Sequence, residues 1–143
     1  MIIQQISVFL ENRLGTLAEV LAILNTHNIN IRAMSVAETA DFGILRFIVN
    51  HPDAVAKVLR EANIAVKITP VLTMILDDNP GRLLEKIQNL SDAGISIEYF
   101  YAFAVVGTEQ ARIVIKVDAL EQAQQLIGSS DHAQVHEEAD FYW

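Results

Sequence analysis

The sequence predicts an α+β chain of two β-α-β-β-α-β units, each an antiparallel sheet with its helices on one face. Three observations predict it. The chain repeats itself at a fixed offset, runs of strand formers alternate with helix-spaced apolar stripes, and both copies carry these in the same order. The repeat is anchored by Gly15 in ENRLGTL and Gly81 in DDNPGRL, which lie 66 positions apart. At that offset Leu10 meets Leu76, Leu17 meets Leu83 and Glu19 meets Glu85. Leu24 then meets Leu90, Ile29 meets Ile95 and Ile31 meets Ile97. With the glycines that makes 7 identities across residues 10–35, where background composition gives ~2.

The first unit is expected over residues 1–69. ISVFL is a short apolar run of strand formers ending in the polar loop Glu11-Asn12-Arg13. Leu14, Leu17, Ala18, Leu21 and Leu24 follow at helical spacing, so one helix face is buried. Residues 29–36 and 44–49 read as strands around a turn, Ala40-Asp41-Phe42-Gly43, where Gly43 could supply a positive φ. Pro52 suits the first turn of a second helix, with Val55, Val58, Leu59 and Ala62 as its stripe. Residues 64–68 read as a closing strand.

The second unit, over residues 70–143, repeats this plan. Residues 71–76 read as a strand, and Asn79-Pro80 as a helix start in which Asn caps and Pro takes the first helical position. Leu83, Leu84, Ile87 and Leu90 are the helix stripe. Residues 95–105 and 112–117 pair about a turn near Gly107, and Leu120, Ala123, Leu126 and Ile127 mark the last helix. A short strand is expected at 134–136, within an acidic C-terminal tail. This order of elements is the ferredoxin-like plan.

Composition excludes several functions. At 143 residues and a net charge of −8, the chain lacks the clustered cations that nucleic acid or an anionic membrane requires. The 52% hydrophobic content is enough for a packed core. Zero cysteines rule out disulfides, thiol catalysis and Cys-based metal sites. The opening residues have no basic region, and no apolar run reaches membrane-spanning length, so a cytoplasmic protein is expected. No nucleophile elbow, P-loop or GxGxxG occurs, so no enzyme and no cofactor are expected. His132 and His136 are spaced i, i+4, but without HExxH they read as part of a solvated tail, and no metal is expected. His27 and His51 read as isolated surface residues. Tyr99, Phe100, Tyr101 and Phe103 share one strand, and without basic neighbours they read as packing rather than RNA-stacking groups.

What recurs in both copies is a strand–loop–helix junction opened by glycine. A helix start offers unpaired N–H groups to an anion, and a neighbouring carboxamide or carboxylate accepts hydrogen bonds from an ammonium group. On spacing alone plain helix capping is the first reading of these residues, and a site for a free amino acid is the second.

These loops, Asn12-Arg13-Leu14-Gly15 and Asp78-Asn79-Pro80-Gly81, together with NINI from Asn28 and GISI from Gly94, resemble the ACT domain, in tandem. The ACT domain is an amino-acid-binding regulatory module of biosynthetic enzymes, and the resemblance covers residues 3–127. It implies a non-catalytic allosteric regulator with a free amino acid effector, a homodimer and a metabolic enzyme partner. In the family the effector lies where the loop of one domain faces a neighbouring domain. Amides at the glycine take its carboxylate, and a polar loop residue helps hold its ammonium. The resemblance implicates Asn12, Leu14, Gly15, Thr16 and Leu17, with Asn30 at the start of the second strand. In the second copy it implicates Asp78, Asn79, Gly81, Arg82 and Leu83. That copy departs from the pattern: Asp78 replaces the loop asparagine, Ser96 stands for Asn30, and Pro80 removes one N–H. An adaptor subunit that docks on a biosynthetic enzyme without binding a ligand is the competing expectation.

Overall fold

The computed structural model describes residues 1–38, 41–105 and 107–130. They fall into two compact units, one formed by Gln4–Thr69 and the other by Met1–Ile3 with the described residues from Pro70 to Ser130. The expected 134–136 strand and the acidic tail with His132 and His136 lie outside the described residues.

In the first unit β1 (Ile2–Glu11, its opening residues belonging to the second unit) leads to α1 (Thr16–Thr26), β2 (Ala33–Glu38), β3 (Phe42–Ile48) and α2 (Pro52–Glu61). β3 is the middle strand. It pairs antiparallel with β1, Ile6 facing Phe47, and with β2, Val36 facing Leu45. On the other side of β1, the Phe9 N–H donates to the Ala65 carbonyl at 3.4 Å. Because side chains alternate across a strand, Ile6, Val8 and Leu10 share a face with Leu45 and Phe47. Onto that face pack Val20 and Leu24 of α1 and Val55 and Leu59 of α2. Each such buried side chain contributes about 1.5–3 kcal/mol.

In the second unit β4 (Val66–Asp77), from Pro70 on, is followed by α3 (Arg82–Asp92), β5 (Ile97–Ala104), β6 (Gln110–Val117) and α4 (Leu120–Ser130). β6 is central, with Leu72 and Phe100 both paired to Ile115. Leu72, Met74, Leu76, Ile113, Ile115 and Val117 form the inner face beneath Leu90, Ala123 and Ile127. Met1 lies against β4: its ammonium donates to the Thr73 carbonyl at 2.9 Å, and the Thr73 N–H returns a bond to the Met1 carbonyl at 2.8 Å. Ile2 packs on this second core. The first residues of the chain therefore complete the unit built by the second copy.

Four local expectations are corrected. Where two strands, 64–68 and 71–76, are expected, there is one unbroken strand, β4, which starts only at Val66. Neither strand after the first helix of a copy begins at its first isoleucine. α1 ends with Asn28 at φ 54° and the Ile29 N–H bonded to the Leu24 carbonyl at 2.9 Å, so β2 starts only at Ala33. Gly94, at φ 76°, and Ile95 repeat this ending in the second copy. Gly43 does not adopt a positive φ; it sits inside β3, its alpha carbon facing Leu10 and Glu38. Asn79 does not cap α3, because the cap position is Gly81 and no side-chain bond closes that helix start.

Candidate functional site

Both junctions are built on one backbone device. Gly15 (φ 89°, ψ 0°) caps α1 and Gly81 (φ 89°, ψ −16°) caps α3. A left-handed residue costs an ordinary L-amino acid roughly 1–2 kcal/mol, so glycine is the residue that turns the chain here without strain. Neither helix has a side-chain cap, so its first-turn N–H groups are not taken by a capping side chain. A methyl group built on either glycine would meet nothing within 4 Å, so the approach to both turns is open.

The first junction is heavily braced. Arg13 makes a fork-to-fork pair with Glu19, Nη1 to Oε1 and Nη2 to Oε2, both at 3.0 Å, with Glu11 3.7 Å from its Nε. The hydrogen bonds to Glu19, and then its charge, raise the Arg13 pKa; in return they hold the Glu19 carboxyl below the ordinary carboxylate range. The Thr16 hydroxyl lies 3.1 Å from the Glu11 carbonyl and 3.2 Å from that of Arg13, tying the helix start back to the loop. Beside the junction is a cavity of about 510 Å³. Asn12, Arg13, Thr16 and Glu19 line it, together with Asp41 and the Phe9–Phe42 pair, whose rings meet edge to face at 5.9 Å. Glu11, Glu19 and Asp41 give its wall three carboxylates against one guanidinium that is already paired. Such a wall suits an ammonium group.

Of the residues implicated by resemblance, Asn12 and Thr16 line this cavity and Gly15 shapes its turn. Leu17 is half-buried on the core, and Leu14 is 98% exposed. Asn30 lines a different cavity of the same unit, about 400 Å³, so these residues are not brought into one place. His27 and His51 line that second cavity too. Both are exposed, as expected, but no local pattern joins them. The only signal was a His-Asn pair at the end of one helix and an Asn-His pair at the start of another.

The second junction is braced differently. The Asp78 N–H donates to the Glu109 carbonyl at 2.8 Å, fastening the loop to the start of β6. Two further main-chain bonds are common to both junctions: the Asn79 N–H reaches the Asp77 carbonyl at 2.8 Å as the Arg13 N–H reaches that of Glu11 at 2.7 Å, and the Asn79 carbonyl accepts from the Arg82 N–H at 3.3 Å as the Arg13 carbonyl does from Thr16 at 3.4 Å. Arg82 has a single contact to Glu85, at 3.2 Å. Asp78, Asn79, Gly81 and Arg82 are exposed, and Leu83 is half-buried. Among the described residues no group of three or more His, Asp and Glu is placed to hold a metal ion, and no helix is long and apolar enough to cross a membrane.

A family model described as an ACT domain pair matches residues 1–141. The chain belongs to this family. The ACT pair is also similar to a protein of Bacteroides thetaiotaomicron of known crystal structure. The two are 40% identical, with 90% of this chain and 88% of that one covered and a TM-score of 0.85. The regulatory subunit of aspartate kinase from Thermus thermophilus, in its ligand-free form, shares the fold. It is 14% identical, with 91% and 95% covered and a TM-score of 0.61. So does aspartokinase III of E. coli in complex with aspartate and ADP. That chain is 21% identical and the TM-score is 0.56, with 88% of this chain matched to 31% of that one. No curated protein matches the chain.

Proposed function

We propose that this ACT pair is a non-catalytic regulatory module that binds a free amino acid at the turn between β1 and α1. The observation that carries the reading is the junction at Gly15. An open left-handed glycine begins a helix that no side chain caps, next to a cavity walled by Asn12, Glu11 and Asp41. The helix start offers N–H groups to the carboxylate of a zwitterion, and the wall accepts its ammonium. Regulation follows from differential binding, because a ligand touching two elements favours the arrangement in which both reach it. The family relationship and the regulatory subunit among the related folds support a regulatory role in the cytoplasm.

A second copy of the chain is the partner we propose for this turn. Leu14, almost wholly exposed one residue before Gly15, is an apolar side chain that a neighbouring subunit would cover. Asn30 of that neighbour could then reach the ligand. Docking on a metabolic enzyme is compatible with this assignment and is the alternative should no ligand bind. A thermal-shift and calorimetric panel of the twenty amino acids tests the reading. Saturable heat is expected from one or a few of them, with a Kd between ~µM and mM for so small a ligand. No heat and no shift from any of them would leave the adaptor reading.

A further inference from the structure

The cavity of about 400 Å³ at the other end of the first unit shares only Asn30 with the reading above. It is formed where the α1–β2 turn, the β3–α2 junction and the inner side of α2 meet, and its size is at the lower end of the range for small-molecule sites. Its floor is apolar, with Val49 and Val55 buried and Ile29 and Val58 half-buried.

The polar groups at its rim are already oriented. His27 Nδ1 lies 3.0 Å from the Ile23 carbonyl, which can only accept, so Nδ1 is the donor there and Nε2 of the neutral ring is an acceptor. The Asn50 carboxamide oxygen accepts from Arg32 Nε at 3.1 Å, so its NH₂ group remains as a donor backed by a guanidinium. The His51 side chain is not spent on capping α2. In a chain of net charge −8, no carboxylate lines this cavity, and Asp53 on the first turn of α2 is not among its walls.

We infer that this cavity is a second binding site, for a small monocarboxylic acid with an apolar body. The carboxylate accepts from the Asn50 NH₂ group and from a ring N–H of His51, the His27 ring edges the site, and the hydrocarbon lies on Val55, Val58 and Ile29. An ammonium group has no carboxylate to pair with here, which separates this ligand class from the zwitterion at the Gly15 turn.

The test is a ¹H–¹³C NMR titration of the full chain with isovalerate, using isobutylamine and isovaleramide as the cationic and neutral forms of similar shape. Isovalerate should shift the ring signals of His27 and His51 and the methyls of Val55 and Val58, saturably and with one Kd. His51→Ala should weaken binding about tenfold. Asn50→Asp, which keeps the size and the Arg32 contact but places a carboxylate in the cavity, should abolish it. Both positions are exposed, and unchanged melting temperatures will verify the folds. Equal shifts with isobutylamine or isovaleramide would overturn the inference. So would isovalerate shifts confined to the Gly15 turn, or unaltered affinity in Asn50→Asp.

Discussion

The two loop–helix junctions share a backbone and differ in most of the loop side chains attached to it, though Glu19 and Glu85 each pair with an arginine. Gly15 and Gly81 hold the same φ of 89° and begin helices without a side-chain cap. Around Gly15 the side chains of Arg13, Thr16 and Glu19 brace the loop from within and border a cavity. Around Gly81 the main chain does the bracing, through the Asp78–Glu109 bond, and proline stands where the first copy has leucine. The repeat has therefore kept the turn geometry while its side chains diverged. Similar folding energetics with unlike ligand chemistry is what this difference predicts.

The largest effect should be one in which the copies agree. Leu24 and Leu90, repeat equivalents that are 1% and 0% exposed, anchor the two cores. Leu24→Ala and Leu90→Ala should each cost about 2–5 kcal/mol in denaturant unfolding. If only one of them is destabilising, the copies are not equivalent in packing. Ligand binding should divide them next: Asn12→Ala should lose about 1–3 kcal/mol of amino-acid affinity by calorimetry, by leaving one charged group of the ligand without its partner. Asp78→Ala should change that affinity less, and equal losses would make the two loops functional equals.

A smaller effect is expected at the glycines. Gly15→Ala and Gly81→Ala should each cost roughly 1–2 kcal/mol of stability, because the space is open and only the left-handed conformation is penalised. Gly15→Asn should cost less, since asparagine tolerates that conformation. The smallest effect concerns the Arg13–Glu19 pair, which is exposed at the surface. Its hydrogen bonds lower the Glu19 pKa in the folded state, so its contribution is complete above the ordinary glutamate value of ~4.3. That contribution is lost as pH falls through the lower folded value. Glu19→Gln should therefore melt slightly earlier than the parent at neutral pH, and the gap should close in melts carried to strongly acidic pH.

How much was legible depended on how local the determining contact was. Leu17, Leu21 and Leu24 mark α1 because helical periodicity is a short-range pattern, and the 66-residue offset turned two weak signals into one strong one. The pairing of Met1 with Thr73 was hidden, because the two are 72 residues apart and nothing near either residue encodes it. Asn79 resembled a cap by composition, yet the left-handed Gly81 had already made the turn. Asn12 and Thr16 could be placed near one cavity because they are four residues apart across one loop–helix junction. His27 and His51 could not be joined, since α1's ending and α2's beginning meet only in the folded unit.

The most direct test of the amino-acid site is a ¹H–¹⁵N titration with whichever amino acid gives the largest heat. The amides of Gly15, Thr16 and Leu17 should move most and saturate at the calorimetric Kd. Binding with full heat while those three amides stay unmoved would contradict the account.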